Sequence, residues 1–163
     1  MVMFLPAIRI GLACGAILGL HEYSAPTLQY GYGLHLPRRP FFPDRGILTF
    51  RYRYWYEDML RPLNLPIPLV ITEMGVDGNV GAGRPGPAGW GWLDFADYWR
   101  QQKLADDAAQ FYADQLAWYD SEMRKDPYVI GAAIFAAGTE HTSFEVDEAL
   151  PYLTRYTLSL KDK

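Results

Sequence analysis

The stretch "PLVITEMGVDG", residues 68–78, joins an apolar run to a carboxylate and then to a turn. Glu73 follows the apolar residues, and two glycines with an aspartate end the run by residue 78. A short apolar run bounded by turn residues is typical of a strand buried in a parallel sheet. A carboxylate at the end of such a strand is costly unless it is hydrogen-bonded or used. The stretch therefore predicts a buried strand with a candidate functional group at its carboxyl end.

The direction of the Glu73 side chain depends on the strand period of two. Side chains alternate along a strand, so Leu69, Ile71 and Glu73 are predicted to share one face. If Ile71 points into the interior of a barrel, Glu73 points the same way at its mouth. The alternative is a glutamate that turns into solvent or pairs with an arginine, and the spacing alone leaves both interpretations open.

Two other apolar runs of strand length lie on either side, "AILGL" (16–20) and "YVIGAAIFAAG" (128–138). Helix patterns alternate with the three predicted strands. They cover residues 2–14, 47–64 and 105–126, and a last one starts at Pro151. The predicted order is α-β-α-β-α-β-α.

Long glycine-rich segments follow the first two strands, at residues 21–46 and 76–95, whereas the connections after helices are short. Long loops at the carboxyl ends of strands are typical of a (β/α) barrel, whose active sites these loops build. The predicted fold class is therefore α/β, with a small open parallel sheet as the alternative. No G-x-G-x-x-G follows the first strand, so the phosphate-binding turn of a doubly wound fold is not predicted.

Length, charge and cysteine content narrow the function. The 163 residues suit one domain. The net charge of -4 comes without a basic block, so neither nucleic acid nor an anionic membrane is an expected partner. One cysteine and three irregularly spaced histidines predict neither a disulfide nor a metal site, and no cofactor is expected. Pro6 and Arg9 interrupt the first apolar segment, which does not suit a signal peptide.

A second polar group follows the first predicted strand in "LHEYSAP", residues 20–26. Alternation puts Leu20 and Glu22 on one face and His21 and Tyr23 on the other. On a strand next to the one that bears Glu73, these two side chains are placed to hydrogen-bond a carboxylate and a sugar. The alternative is that they are aromatic residues at the edge of the core.

Aromatic residues also occur in the predicted loops. Trp90, Trp92 and Tyr30 lie there, at the presumed open end of the sheet, where rings commonly stack on sugars. The alternative is that they cover the apolar underside of their own loops.

Together, "LHEYSAP", "LVITEMGVDG" and "GAAIFAAGTEHTSFEV" resemble the last three strands of clan A retaining glycoside hydrolases, such as the cellulase-like family 5. In those TIM barrels strand six often ends in His-x-Tyr, and strand seven ends in the nucleophilic glutamate. Strand eight ends near a tryptophan that forms the floor of the subsite. The resemblance implies that residues 1–163 form a single partial barrel domain, equivalent to strands six to eight.

The resemblance implies roles for individual residues in the retaining hydrolysis of a polysaccharide. Glu73 becomes the nucleophile, Tyr23 its hydrogen-bond partner and His21 a substrate contact. Two features depart from the family. The tryptophan of strand eight is missing, with His141 near its place, and the acid/base glutamate belongs to strand four, which this chain lacks.

Two glutamates are candidates for the missing acid. A retaining pair needs carboxyl groups about 5 to 5.5 Å apart, and neighbouring strands lie about 4.8 Å apart, so distance permits Glu22. Its direction argues against it, because Glu22 alternates away from His21 and Tyr23. Glu140, in the loop after the third strand, has no positional support.

Two functions from different classes remain open. The first is the C-terminal part of a glycoside hydrolase, and the second is a non-catalytic carbohydrate-binding or structural relic of that fold. Carbohydrate is the expected partner of the glycoside hydrolase and of the carbohydrate-binding relic. Three strands cannot close a barrel, so Ile17, Ile71 and Ile134 are predicted to face water. Self-association, or a missing N-terminal half of the barrel, is expected to cover them.

Overall fold

The computed structural model describes residues 2–80, 83–138 and 140–161. Three strands form one parallel sheet in chain order: β1 Leu18–Ser24, β2 Leu69–Val76 and β3 Val129–Ile134. The α-helices are α1 Leu5–Ala13, α2 Leu28–Tyr32, α3 Tyr52–Trp55, α4 Ala96–Gln101, α5 Ala108–Met123 and α6 Leu150–Ser159. The chain is therefore a mixed α/β protein with a small open parallel sheet, as the alternative fold prediction states.

Strand β1 lies further along the chain than the apolar run predicts. The run covers residues 16–20, but the ladder with β2 continues from the Leu18–Leu69 pair to the Ser24–Val76 pair. The polar residues of "HEYS" therefore belong to the strand and not to the following loop. Backbone pairing with a neighbouring strand sets this boundary, and hydropathy does not report it.

The predicted helix over residues 47–64 is shorter in the structure. Phe50 has a φ of 56°, a left-handed conformation that a right-handed helix cannot contain. The helix begins at Tyr52 as α3 and continues as a π-helical turn, Tyr56–Leu60. The short helix α2 lies inside the segment 21–46, which the sequence pattern predicts to be a loop, and the short helix α4 begins directly after the predicted loop 76–95.

The hydrophobic core lies on one side of the sheet. Leu69, Ile71 and Met74 of β2 are fully buried there with Leu116 and Tyr119 of α5. The opposite face carries Gly19 and His21 of β1, Thr72 of β2 and Ala133 of β3, all of which are exposed. Within the described residues, this second face has no helix over it.

A bulge in β2 reverses the predicted face of Glu73. Leu20 pairs with Ile71, but the next residue, His21, pairs with Glu73, so Thr72 is an extra residue. An extra residue in one strand shifts all later side chains to the opposite face. The prediction that Ile71 and Glu73 share a face is therefore wrong: Ile71 packs in the core, and Glu73 lies on the open face.

The prediction that Ile17, Ile71 and Ile134 face water is wrong for Ile71 and confirmed for the other two, which are exposed. Ile71 is completely buried. Ile17 is 54% exposed, but it lines a groove between α1 and the outer edge of β1. Ile134 is partly exposed in a groove that α5 and α6 also line. The open face is thus made of small and polar side chains, and exposed apolar surface lies at the two flanks of the sheet.

Candidate active site

Three side chains meet on the open face, at the carboxyl end of the sheet. The Tyr23 hydroxyl donates a hydrogen bond of 2.7 Å to Oε2 of Glu73. Nδ1 of His21 lies 3.3 Å from the same oxygen. The Glu73 side chain is 35% exposed, so solvent reaches it. The predicted cluster of His21, Tyr23 and Glu73 is confirmed as geometry.

The local backbone explains why these residues meet. His21 and Glu73 are register partners across the parallel ladder. Tyr23 lies two residues beyond His21 on the same face and leans back to Glu73. The bulge at Thr72 is what allows this, because regular alternation would turn Glu73 into the core.

Tyr23 is a hydrogen-bond donor at neutral pH. Burial of the phenol raises its pKa above the ordinary value, and the hydrogen bond to Glu73 raises it further. A phenol that stays protonated donates its hydrogen bond to the Glu73 carboxyl oxygen and adds no second negative charge beside it. Glu73 is thereby a fixed, solvent-accessible carboxylate, which suits a nucleophile or a ligand for sugar hydroxyls.

Aromatic side chains cluster on the side of Tyr23. Phe135, the first residue after β3, presents its ring edge-on to Tyr23 at 6.4 Å between centroids. His141 lies 5.8 Å from Phe135, and Phe144 lies 5.2 Å from it. The sequence interpretation assigned His141 to this region and missed Phe135. The signal for Phe135 was present, since an aromatic residue ends the run "GAAIF".

Glu22 lies on the opposite face of β1 and is 3% exposed. Its carboxylate accepts hydrogen bonds from the backbone N–H groups of Phe50, at 2.7 Å, and Tyr52, at 3.1 Å, and from the Tyr119 hydroxyl. Burial raises the pKa of the Glu22 carboxyl to about 7, although these hydrogen bonds act against the shift. The prediction that Glu22 points away from Glu73 is confirmed.

The other predicted site residues lie in different surroundings. Trp90 is 58% exposed in the loop after β2, which leaves its ring accessible. Trp92 is 1% exposed, stacks on Tyr112 and donates from Nε1 to the backbone oxygen of Glu145. A side chain buried in this way does not suit the predicted sugar contact, because the core occupies both of its faces.

Tyr30 and Glu140 have no described bond to the cluster. Tyr30 is partly buried on the short helix α2, whose start is capped by the side chain of Thr27. Glu140 is exposed in the loop after β3. Among the described residues, no hydrogen bond or ion pair joins either of them to Glu73.

The loops after β2 and β3 pack against each other over this end of the sheet. The backbone N–H of Gly91 donates to the Ser143 hydroxyl at 3.2 Å. A Cβ at Gly91 would lie 2.0 Å from the Ser143 backbone oxygen, so only glycine permits this approach. The contact between Gly91 and Ser143 joins the loop that carries Trp90 to the loop that carries His141.

Metal binding and membrane insertion can be examined for the same residues. Across residues 2–80, 83–138 and 140–161, no group of three or more His, Cys, Asp or Glu side chains could hold a metal ion. None of the helices described is long and apolar enough to cross a membrane.

In comparisons with known proteins, the chain matches no family model, no curated protein and no solved structure.

Proposed function

We propose that this chain carries the nucleophile side of a retaining glycoside hydrolase, as the C-terminal three strands of a (β/α)8 barrel. The observation that carries the proposal is Glu73, a partly exposed carboxylate at the carboxyl end of β2 that Tyr23 holds through a 2.7 Å hydrogen bond. Support for the barrel comes from three parallel strands in chain order with the core on one side only.

In the proposed reaction, Glu73 attacks the anomeric carbon and forms a covalent glycosyl-enzyme intermediate, which water then hydrolyses. Tyr23 holds the carboxylate in line for attack. His21 contacts the sugar or the carboxylate, and Phe135 with His141 offers an aromatic surface beside it. Trp90 is the loop residue best exposed to stack on a more distant sugar unit.

The general acid comes from outside the cluster. Glu22 is excluded because it faces the core, and nothing described places the exposed Glu140 beside Glu73. A retaining mechanism needs a second carboxyl about 5 to 5.5 Å from the nucleophile. We therefore propose that the five remaining strands of a barrel, on a separate polypeptide or a longer form of this one, supply it.

The proposal is tested with substrates that do not need the missing acid. Dinitrophenyl β-glycosides of glucose and mannose oligosaccharides have leaving groups that depart without protonation, so the nucleophile alone can cleave them. We expect the chain to release dinitrophenol from at least one of them, and Glu73→Gln to abolish the release. Glu57→Gln is the matched control, since Glu57 pairs with Arg61 on an exposed helix turn. Equal rates for the chain and for Glu73→Gln would contradict the proposal.

A second function, non-catalytic carbohydrate binding, is favoured by one observation. Exposed rings that could stack on sugars, those of His21, His141 and Trp90, accompany Glu73 at this end of the sheet, and binding through them needs no second carboxyl group. In that case β-linked glucans, mannans or peptidoglycan bind to the chain and Glu73→Gln weakens binding, while no dinitrophenol is released. Binding measurements on these polymers, run beside the hydrolysis assay, distinguish the two functions.

A further inference from the structure

Glu22 joins strand β1 to two other parts of the molecule from the face opposite the candidate site. One oxygen, Oε2, accepts from the Phe50 N–H and the Tyr119 hydroxyl, and the other, Oε1, accepts from the Tyr52 N–H. The carboxylate therefore holds β1, the segment that begins α3, and helix α5 together. Burial of a carboxylate is costly unless hydrogen bonds satisfy its oxygens. Displacing any of the three segments would break one of these bonds, which are strong because the acceptor is charged.

The position of Glu22 in the chain connects this contact to the site. Glu22 lies between His21 and Tyr23, which point to the opposite face and contact Glu73. Any displacement of the Glu22 backbone moves both neighbours relative to β2. The β1–β2 ladder irregularity falls between Leu20 and His21, so backbone pairing alone restrains this end of the strand less than a regular ladder would.

The segment that Glu22 binds is itself firmly held. The Phe50 ring stacks on Tyr119 at 4.5 Å between centroids. The Arg53 guanidinium lies 4.4 Å from the centroid of the same Phe50 ring. Arg53 also forms a 2.8 Å ion pair with Asp126. Glu22 is thus anchored to a segment whose side chains are packed in the core.

We propose that Glu22 is a positioning residue, which fixes the end of β1 so that the Tyr23 hydroxyl stays on Glu73. A role of Glu22 in catalysis rests on the function proposed above. Its effect on the Tyr23–Glu73 contact does not depend on that function. Glu22 touches neither a substrate nor the Glu73 carboxylate, and it acts only through the backbone on either side of it.

The test reads the Tyr23–Glu73 contact directly. The chain is labelled with 3-fluorotyrosine, and the Tyr23 fluorine resonance is assigned by its loss in Tyr23→Phe. Glu73→Gln gives the position of this resonance when the carboxylate partner is replaced. We expect Glu22→Gln to shift the Tyr23 resonance toward that position, or to broaden it through exchange.

The control is Tyr56→Phe, which removes another buried hydrogen bond, from the Tyr56 hydroxyl to the Ile67 backbone oxygen. It should leave the Tyr23 resonance unchanged, because its loss does not touch β1. If Glu22→Gln fails to fold, Tyr119→Phe takes its place, since it removes one donor to Glu22 and keeps the carboxylate. An unshifted Tyr23 resonance in the folded variant, or an equal shift in Tyr56→Phe, overturns the proposal. No glycan is needed, so the outcome is independent of whether the chain hydrolyses one.

Discussion

Glu22 and Glu73 are carboxylates on neighbouring strands with opposite surroundings. Glu73 is partly exposed and accepts a hydrogen bond from a phenol, whereas Glu22 is buried and its pKa is raised to about 7. Environment rather than residue type assigns the roles of paired carboxylates in active sites. Here it makes Glu73 the group available to a ligand and Glu22 a group that holds the structure.

Tyr23→Phe tests the hydrogen bond to the proposed nucleophile. Hydrogen bonds to charged groups contribute about 1.5 to 3 kcal/mol, so kcat/KM on a dinitrophenyl glycoside should fall by roughly 10-fold to 100-fold. The free energy of unfolding should fall by no more than about the same 1.5 to 3 kcal/mol, because Tyr23 is only partly buried.

The matched control for this substitution is Tyr156→Phe. It also removes a tyrosine–carboxylate hydrogen bond, of 2.8 Å to Asp120, but on the helical side of the molecule. Its kcat/KM should stay at the wild-type value. A Tyr23→Phe variant as active as Tyr156→Phe would show that the hydroxyl has no part in the reaction.

The raised pKa of Glu22 makes stability depend on pH. The folded-state pKa of about 7 lies above the ordinary value of 4.5, so the folded state binds the proton more tightly than the unfolded state. Glu22 therefore lowers the free energy of unfolding as the pH rises from about 4.5 to about 7. The two tyrosines that face Glu22, Tyr52 and Tyr119, keep their protons in this range, because burial raises the pKa of each. The positive charge of Arg51 acts against this shift and lowers the pKa of Glu22.

Urea unfolding of the chain and of Glu22→Gln at about pH 5 and about pH 8 measures this contribution. Relative to the unmodified chain, the variant should gain on the order of 3 kcal/mol between the two pH values, from about 1.4 kcal/mol for each pKa unit. The comparison cancels the titration of all other groups. A stability difference that is the same at both pH values would rule out a raised pKa.

At the scale of elements, hydropathy and turn residues predicted the alternation of helices and strands, because each buried strand is a short apolar run. They also predicted that His21 and Tyr23 share a face, since β1 is regular over those residues. They failed at β2, where the extra residue Thr72 turns Glu73 to the open face. A bulge depends on the pairing of two strands far apart in the chain, and no local pattern in "LVITEMG" reports it.

The same limit applies to Trp92 and Glu22. Both were placed in loops or at strand ends by pattern, but only the packing of α5 shows what covers them: Tyr112 stacks on Trp92, and Tyr119 bonds to Glu22. Two of the side chains that α5 buries are tyrosines, Tyr112 and Tyr119. An aromatic side chain with a polar tip is ambiguous in a hydropathy pattern.

Gly75 tests the packing of β2 against α5. A Cβ at this position would lie 2.8 Å from the hydroxyl oxygen of Tyr112, which is fully buried. Gly75→Ala should therefore lower the free energy of unfolding by about 1 to 3 kcal/mol, as for other overpacked cores. Denaturant unfolding measures the change.

Gly131→Ala on β3 is the control, because a Cβ there meets no atom within 4 Å. It should leave stability unchanged or raise it slightly, since glycine loses more backbone entropy than alanine on folding. Equal effects of the two substitutions would mean that Tyr112 does not pack on Gly75 as described.

At the scale of the whole molecule, both outer edges of the sheet lack a neighbouring strand among the described residues. Exposed apolar side chains lie beside both edges. Phe4 and Ile17 line a groove beside β1, and Ile130 and Ile134 lie on β3 itself. Open strand edges and clustered apolar surface are features of interfaces. We propose that a second copy or the remaining part of a barrel covers them.

Sedimentation of the purified chain tests this proposal. Burial of apolar surface stabilises by roughly 25 cal/mol per Å², so the two flanks favour association, and we expect a dimer or larger species at micromolar concentration. Introducing a charge with Ile17→Lys should shift the distribution toward monomer, whereas the same change at the exposed Leu104, away from both edges, should not. A well-folded monomer that binds no hydrophobic dye would contradict the proposal.

The proposed attack of Glu73 on an anomeric carbon is tested most directly by trapping the covalent intermediate. A dinitrophenyl glycoside with fluorine at the sugar 2-position forms the intermediate with the help of its leaving group and then hydrolyses slowly. Mass spectrometry of the intact chain should show the added glycosyl mass, and peptide mapping should place it on Glu73, within "VITEMG". Glu73→Gln should remain unlabelled. A chain that stays unlabelled, or that carries the sugar on another residue, would contradict the account.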